Sequence, residues 1–177
     1  MSKKWYPTWY AKEIFDIDFN VLKESGIKHI LCDLDNTIVP YHVVSASEGE
    51  LKWFEELNEH GFTLAIVSNN YLGRVRNFAT EHNIEYLANS NKPTIRRIKK
   101  FILNGEINKD EWVFIGDQIL TDIWAANRLG IRSILVEPLV KRESIRSFIN
   151  RKLDNKIRKK ILKDKDKISI EKGDLNE

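Results

Sequence analysis

The chain has 177 residues, 42% apolar and 31% charged, which suffices for one domain core; four Pro and eight Gly exclude a collagenous or low-complexity chain. One cysteine, Cys32, excludes an internal disulfide and points to a reducing compartment, while no apolar run approaches bilayer-spanning length. The net charge of +3 is uneven, −3 over residues 1–140 against +6 over 141–177, so a basic tail follows a mildly acidic body.

In chain order, Trp5, Tyr6, Trp9 and Tyr10 form an aromatic cluster, read as core packing ahead of membrane contact. A flanking apolar stretch runs from Ile14 to Leu22. Ile27 to Asp33 reads as a buried strand that ends in a carboxylate. Ser47 to Gly61 reads as a helix, with Ser47 as cap, Glu50 three residues on, and Gly61 as stop. Phe62 to Val67 is the second strand, Leu72 to His82 a helix, and Ile84 to Leu87 a short strand. A helix fits Thr94 to Leu103, a strand Glu111 to Gly116, a helix Thr121 to Leu129, and a strand Ile131 to Val136. Strands separated by helices of this length predict a three-layer α/β fold with a parallel, Rossmann-like sheet. Last, Ile145, Ile149, Leu153, Ile157 and Ile161 recur every four residues among lysines and arginines, a basic amphipathic helix. Its stripe fits either docking on the body or contact with anionic lipid.

Ligands of an open parallel sheet bind beyond the carboxyl ends of its strands. Here those ends carry Asp33-Leu34-Asp35-Asn36-Thr37, then Ser68-Asn69, then Lys92 before a helix, then Gly116-Asp117 with Asp122 five residues on. Gathered carboxylates repel one another unless a cation balances them, and an all-oxygen set suits Mg²⁺. A pair spaced i, i+2 beyond a strand can supply one nucleophile and one general acid/base. A hydroxyl, backbone amides and an amine then stabilise charge on a transferring phosphoryl group.

These four motifs, in this order, resemble the haloacid dehalogenase (HAD) superfamily of phosphatases. Asp-Leu-Asp-Asn-Thr, Asn-Lys-Pro and Gly-Asp-Gln-x-x-Thr-Asp, behind an aromatic-Pro start, are similar to its YqeG-type branch, related to phosphatidylglycerophosphate phosphatases. The resemblance spans roughly residues 5–140 and implies roles. Asp33 would be the nucleophile that becomes an aspartyl-phosphate, Asp35 the general acid/base, and Thr37 the residue orienting the turn after them. Ser68 and the Asn69 amide would bind phosphoryl oxygens, and Lys92 would neutralise charge. Asp117 would hold Mg²⁺ together with Asp33 and the Asp35 carbonyl, with Asp122 holding a metal-bound water or the lysine.

Only 32 residues separate Asp35 from Ser68, so neither usual insertion point has room for a cap domain. A capless crevice suits a phosphate protruding from something large, and a lipid headgroup at a membrane surface agrees with the basic tail. We therefore expect a cytoplasmic, peripherally membrane-associated hydrolase with residues 1–140 as the catalytic domain and 141–177 as a basic helix and tail. The same chemistry would serve a soluble phosphatase of a small metabolite or nucleotide. A phospho-accepting receiver is disfavoured, because the third strand ends without an aspartate. Nucleic-acid binding lacks an aromatic-and-basic motif. Cys32 and the four histidines are read as structural.

Overall fold

A computed structural model describes residues 3–102, 108–140 and 148–172. Among these, six parallel strands form one sheet: β1 (Trp9–Tyr10), β2 (His29–Cys32), β3 (Thr63–Val67), β4 (Glu85–Leu87), β5 (Trp112–Gly116) and β6 (Arg132–Leu135). Their order is β1-β6-β5-β2-β3-β4, which makes β2 and β5 central neighbours. The helices are α1 (Phe19–Glu24), α2 (Glu48–Glu59), α3 (Leu72–Glu81), α4 (Arg96–Ile102), α5 (Trp124–Leu129), α6 (Phe148–Ile161) and α7 (Lys165–Ile168).

The central strands are apolar on both faces, and alternate residues serve two different cores. Ile30, Cys32, Ile66, Val113 and Ile115 pack with Leu22 of α1, Trp53 and Leu57 of α2, and Val75 and Phe78 of α3. Leu31, Ala65, Val67 and Phe114 pack on the opposite face with Ile98 of α4 and Ala125, Ala126 and Leu129 of α5. Burial of each large side chain contributes about 1.5–3 kcal/mol, so two covered faces hold the sheet as a rigid middle layer. The predicted three-layer α/β architecture is the observed one.

Local signals act where the sequence places them. The Ser47 N–H donates to the Glu50 carboxylate at 2.7 Å, the reciprocal arm of a capping box at the start of α2. Past its end Gly61 takes φ +81°, a left-handed conformation that lets the chain reverse into β3. The helix expected over Thr121–Leu129 is in fact two pieces, a π-helical segment over Ile119–Ile123 followed by α5.

Both flanks join the sheet. Trp9 and Tyr10 pair with Ile134 and Leu135, so part of the aromatic cluster is an edge strand, too short for periodicity to disclose. In α6, Ile157 and Ile161 are buried against Tyr10, Ile119, Ile123 and Leu135, so this part of the stripe docks on the body. Ile145 lies outside the described residues, as does the Ile149 side chain. After α7 the chain returns to bridge Tyr10 through Ser169 and Ile17 through Glu171. No described helix is long and apolar enough to cross a membrane.

Candidate active site

The strand register assembles the site. Cys32 pairs with Ile66 on one side and Ile115 on the other, so Asp33 leaves the sheet between β3 and β5. Its N–H still donates to the Ile115 carbonyl at 2.9 Å, which extends the ladder by one residue and fixes the carboxylate's origin. From β2 the chain builds outward through β3 and β4, then crosses back to β5, so the rim between β2 and β5 is the topological switch point. Asn36 turns the chain at φ +68°, which asparagine tolerates, and folds Thr37 back toward β5.

Asp33, Asp117 and Asp122, from three separate segments, place one carboxylate oxygen each within 4.8 Å of one another. The Lys92 ammonium stands among them, donating to Asp33 Oδ1 at 2.8 Å and to the Val67 carbonyl at 2.6 Å. It also lies 2.9 Å from Asp122 Oδ1 as an ion-pair contact. That oxygen is fully buried, with the ion pair to Lys92 as its polar contact. Asp122 Oδ2 accepts from the Gln118 N–H at 3.0 Å. Gly116 makes this approach feasible, since a Cβ there would sit 2.4 Å from Asp122 Cβ.

Thr37 sits behind the crevice. Its hydroxyl accepts from the Asp117 N–H at 3.1 Å and faces Asp117 Oδ1 at 3.3 Å. Ser68 lines the crevice, and its Oγ accepts from the Asn70 N–H at 3.1 Å. The Asn69 amide ties down the lysine's loop: Oδ1 accepts from the Lys92 N–H at 2.7 Å, while Nδ2 donates to the Lys92 carbonyl at 3.0 Å. Asp35 turns away from the triad. Its Oδ1 accepts from Arg74 Nη2 at 3.2 Å and its Oδ2 from Asn70 Nδ2 at 2.9 Å. The crevice holds about 280 Å³, and its exposed lining is mostly polar, including Asp33, Asp35, Ser68, Lys92 and Asp122.

Electrostatics follow from crowding. Burial pushes the Asp33 carboxyl up to about 6, with Asp122 and Asp35 adding to the rise and Lys92 opposing it. Burial, then Asp122 and Asp33, hold the Asp117 carboxyl well above the carboxylate range. For Lys92, burial acts against the charge, but Asp122 and Asp33 outweigh it and raise the pKa. Three carboxylates against one amine leave negative charge uncompensated. This buried, all-oxygen donor set fits a hard divalent cation.

Residues 13–136 match the sequence profile of the haloacid dehalogenase-like hydrolases. The chain belongs to the haloacid dehalogenase-like hydrolase family. A protein of Bacillus subtilis (strain 168) named "Probable phosphatase YqeG" is 37% identical to this hydrolase over 158 residues, 89% of this chain and 92% of its own. An uncharacterised Listeria monocytogenes serotype 4b protein of known structure is 25% identical, with a TM-score of 0.51 over 67% of this chain and 85% of its own. A hypothetical protein from Xanthomonas campestris shares the fold at 9% identity, TM-score 0.51, over 74% and 76% of the two chains.

Sequence reasoning missed four of this hydrolase's site residues. Asn70 and Arg74 grip Asp35, while Asp154 and Arg158 reach the rim from α6. One signal for Arg74 was available: it occupies the same face of α3 as Val75 and Phe78, where an arginine is out of place unless paired.

Proposed function

We propose that this hydrolase is a Mg²⁺-dependent phosphomonoesterase working through an aspartyl-phosphate. The carrying observation is the junction of Asp33, Lys92, Asp117 and Asp122 at the mouth of an open polar crevice. Asp33 is the nucleophile: its carboxylate oxygen forms a bond to phosphorus as the ester P–O bond breaks. Asp35 is the general acid, giving a proton to the departing alkoxide. Asp35 then takes a proton from the incoming water, whose oxygen bonds to phosphorus while the Asp33 oxygen departs. Ser68 and the Asn69 backbone amide donate to phosphoryl oxygens, and Lys92 balances charge on Asp33 and the phosphoryl group. Thr37 orients the turn after Asp35. Asp33, Asp117, Asp122 and the Asp35 carbonyl would hold Mg²⁺, which neutralises phosphoryl charge when bound.

The substrate we favour is a lipid phosphate of the phosphatidylglycerophosphate kind, taken at a membrane surface. Between Asp35 and Ser68 lie the loop over residues 36–47, α2 and β3, and between Ser68 and Lys92 lie α3 and β4, so neither interval holds a cap domain. Tyr41, Val44, Tyr71 and Leu72, which follow the first two motifs, are exposed. Lys156, Lys159 and Lys160 of α6, and Lys163 just after it, are exposed and offer positive charge to anionic headgroups. Phosphate release is to be measured on phosphatidylglycerophosphate in anionic vesicles, nucleoside monophosphates and sugar phosphates. Preference for the vesicles with co-sedimentation supports this reading; preference for a small soluble phosphate transfers the chemistry to the soluble alternative.

A further inference from the structure

The loop from Asp117 to Leu120 carries one acidic residue of the cluster and leads directly into the turn carrying another, Asp122. Its backbone is held from outside the catalytic motifs. Arg158 of α6 donates through Nη2 to the Asp117 carbonyl and through Nη1 to the Val136 carbonyl at 3.1 Å. The same Nη1 lies 3.2 Å from a Glu137 carboxylate oxygen. One turn earlier, Asp154 Oδ1 accepts from the Leu120 N–H at 3.0 Å. Both side chains are about nine-tenths buried, with 9% and 8% exposure for Asp154 and Arg158. Ile157 and Ile161, on the adjoining stripe, press the helix against Ile119, Ile123 and Leu135.

We propose that Asp154 and Arg158 are positioning residues of the metal site, so that α6 sets where Asp117 and Asp122 present their carboxylates. The inference rests on the metal reading of the acidic cluster and extends it to a helix outside the four motifs. Spacing i, i+4 puts the two groups on one face, a donor fork and an acceptor, and the loop offers the complementary pair, a carbonyl and an N–H. A planar guanidinium can bridge two carbonyls and a carboxylate at fixed angles, which a lysine ammonium cannot. Oxygen ligands of a divalent ion are placed to within a few tenths of an ångström, so a loop freed at both ends loses affinity before it loses its fold. The apolar stripe supplies adhesion, and the polar pair supplies register.

The test uses the full chain and Mn²⁺ alone as probe, with free Mn²⁺ counted by electron paramagnetic resonance below the unfolding temperature. Arg158→Gln and Asp154→Ala should raise the Mn²⁺ Kd about 10–100-fold. Asp154→Asn, which keeps an acceptor oxygen for Leu120, should restore most of the affinity. Ile157→Ala removes adhesion without touching the grip; it should lower the melting temperature and leave the Kd within about threefold of the parent's. Unchanged affinity in Arg158→Gln and Asp154→Ala overturns the inference while the metal reading stands. So does an Ile157→Ala loss as large as theirs. A folded parent that binds no Mn²⁺ overturns both.

Discussion

Asp33 and Asp35 stand two residues apart on one loop, yet they belong to regions built on different electrostatic plans. Around Asp33, three carboxylates share one lysine, and burial raises the Asp33 carboxyl. Around Asp35, one carboxylate meets one buried arginine and an asparagine amide, so charge and hydrogen bonds balance. The first region is under tension that a divalent cation would relieve; the second is complete as it stands. The two neighbouring carboxylates thus differ in their partners, one crowded by like charge and the other paired with an arginine.

The largest effect expected is on turnover. Asp33→Asn should cut phosphate release by more than about a thousandfold with the fold retained, read by released phosphate and circular dichroism. Turnover near the parent's would remove the nucleophile from the tense region and end the contrast.

Next comes the balanced region. Arg74→Ala strands a buried carboxylate and should destabilise the chain by about 3–5 kcal/mol. At about 2–4 °C per kcal/mol for this chain length, that is a fall of some 10 °C in Tm. Asp35→Ala added to it should recover part of the loss, so a double-mutant cycle by chemical denaturation measures the pair directly. Additive losses would mean that the two groups do not interact.

A smaller change probes the crowding itself. Gly116→Ala would set a methyl group 2.4 Å from Asp122 Cβ. The forced shift should cost about 1–3 kcal/mol and weaken Mn²⁺ binding, by thermal melting and titration. An unaltered melting curve would show the rim to be looser than the contact implies.

The smallest effect is in pH. The Asp33 carboxyl moves from 3.8 to about 6 on folding, so between those values the folded chain holds the extra proton. Stability in EDTA should therefore fall as pH rises from about 4 to 6, and Tm should be a few degrees higher at pH 5 than at pH 7. Saturating Mg²⁺ at pH 7 should narrow that difference. A metal-free Tm that climbs across this window would contradict the tense reading of the first region.

Much of this was legible in the residues alone. Continuous apolar runs of four to six residues, alternating with helix-period segments, read as strands buried on both faces, and the polar residues where such runs stop then fall at the sheet rim. That places Asp33, Ser68 and Asp117 without any coordinates. The capping box of α2 is equally local. Strand β1 was not legible, because two residues carry no period and Trp9–Tyr10 is a strand only through its pairing with β6. Arg74 went unread because its partner, Asp35, lies 39 residues away and only the docking of α3 brings the two together.

What the sequence determined by itself is the three-layer arrangement and the motif residues at the strand ends, since hydrophobic period and turn chemistry act over a few neighbouring residues. What only the tertiary structure decided is which charges meet. Asp33 with Lys92, Asp35 with Arg74 and the Asp117 carbonyl with Arg158 are pairs 59, 39 and 41 residues apart. Their contact depends on strand order and helix docking, which bring distant segments to one point and which no local pattern encodes.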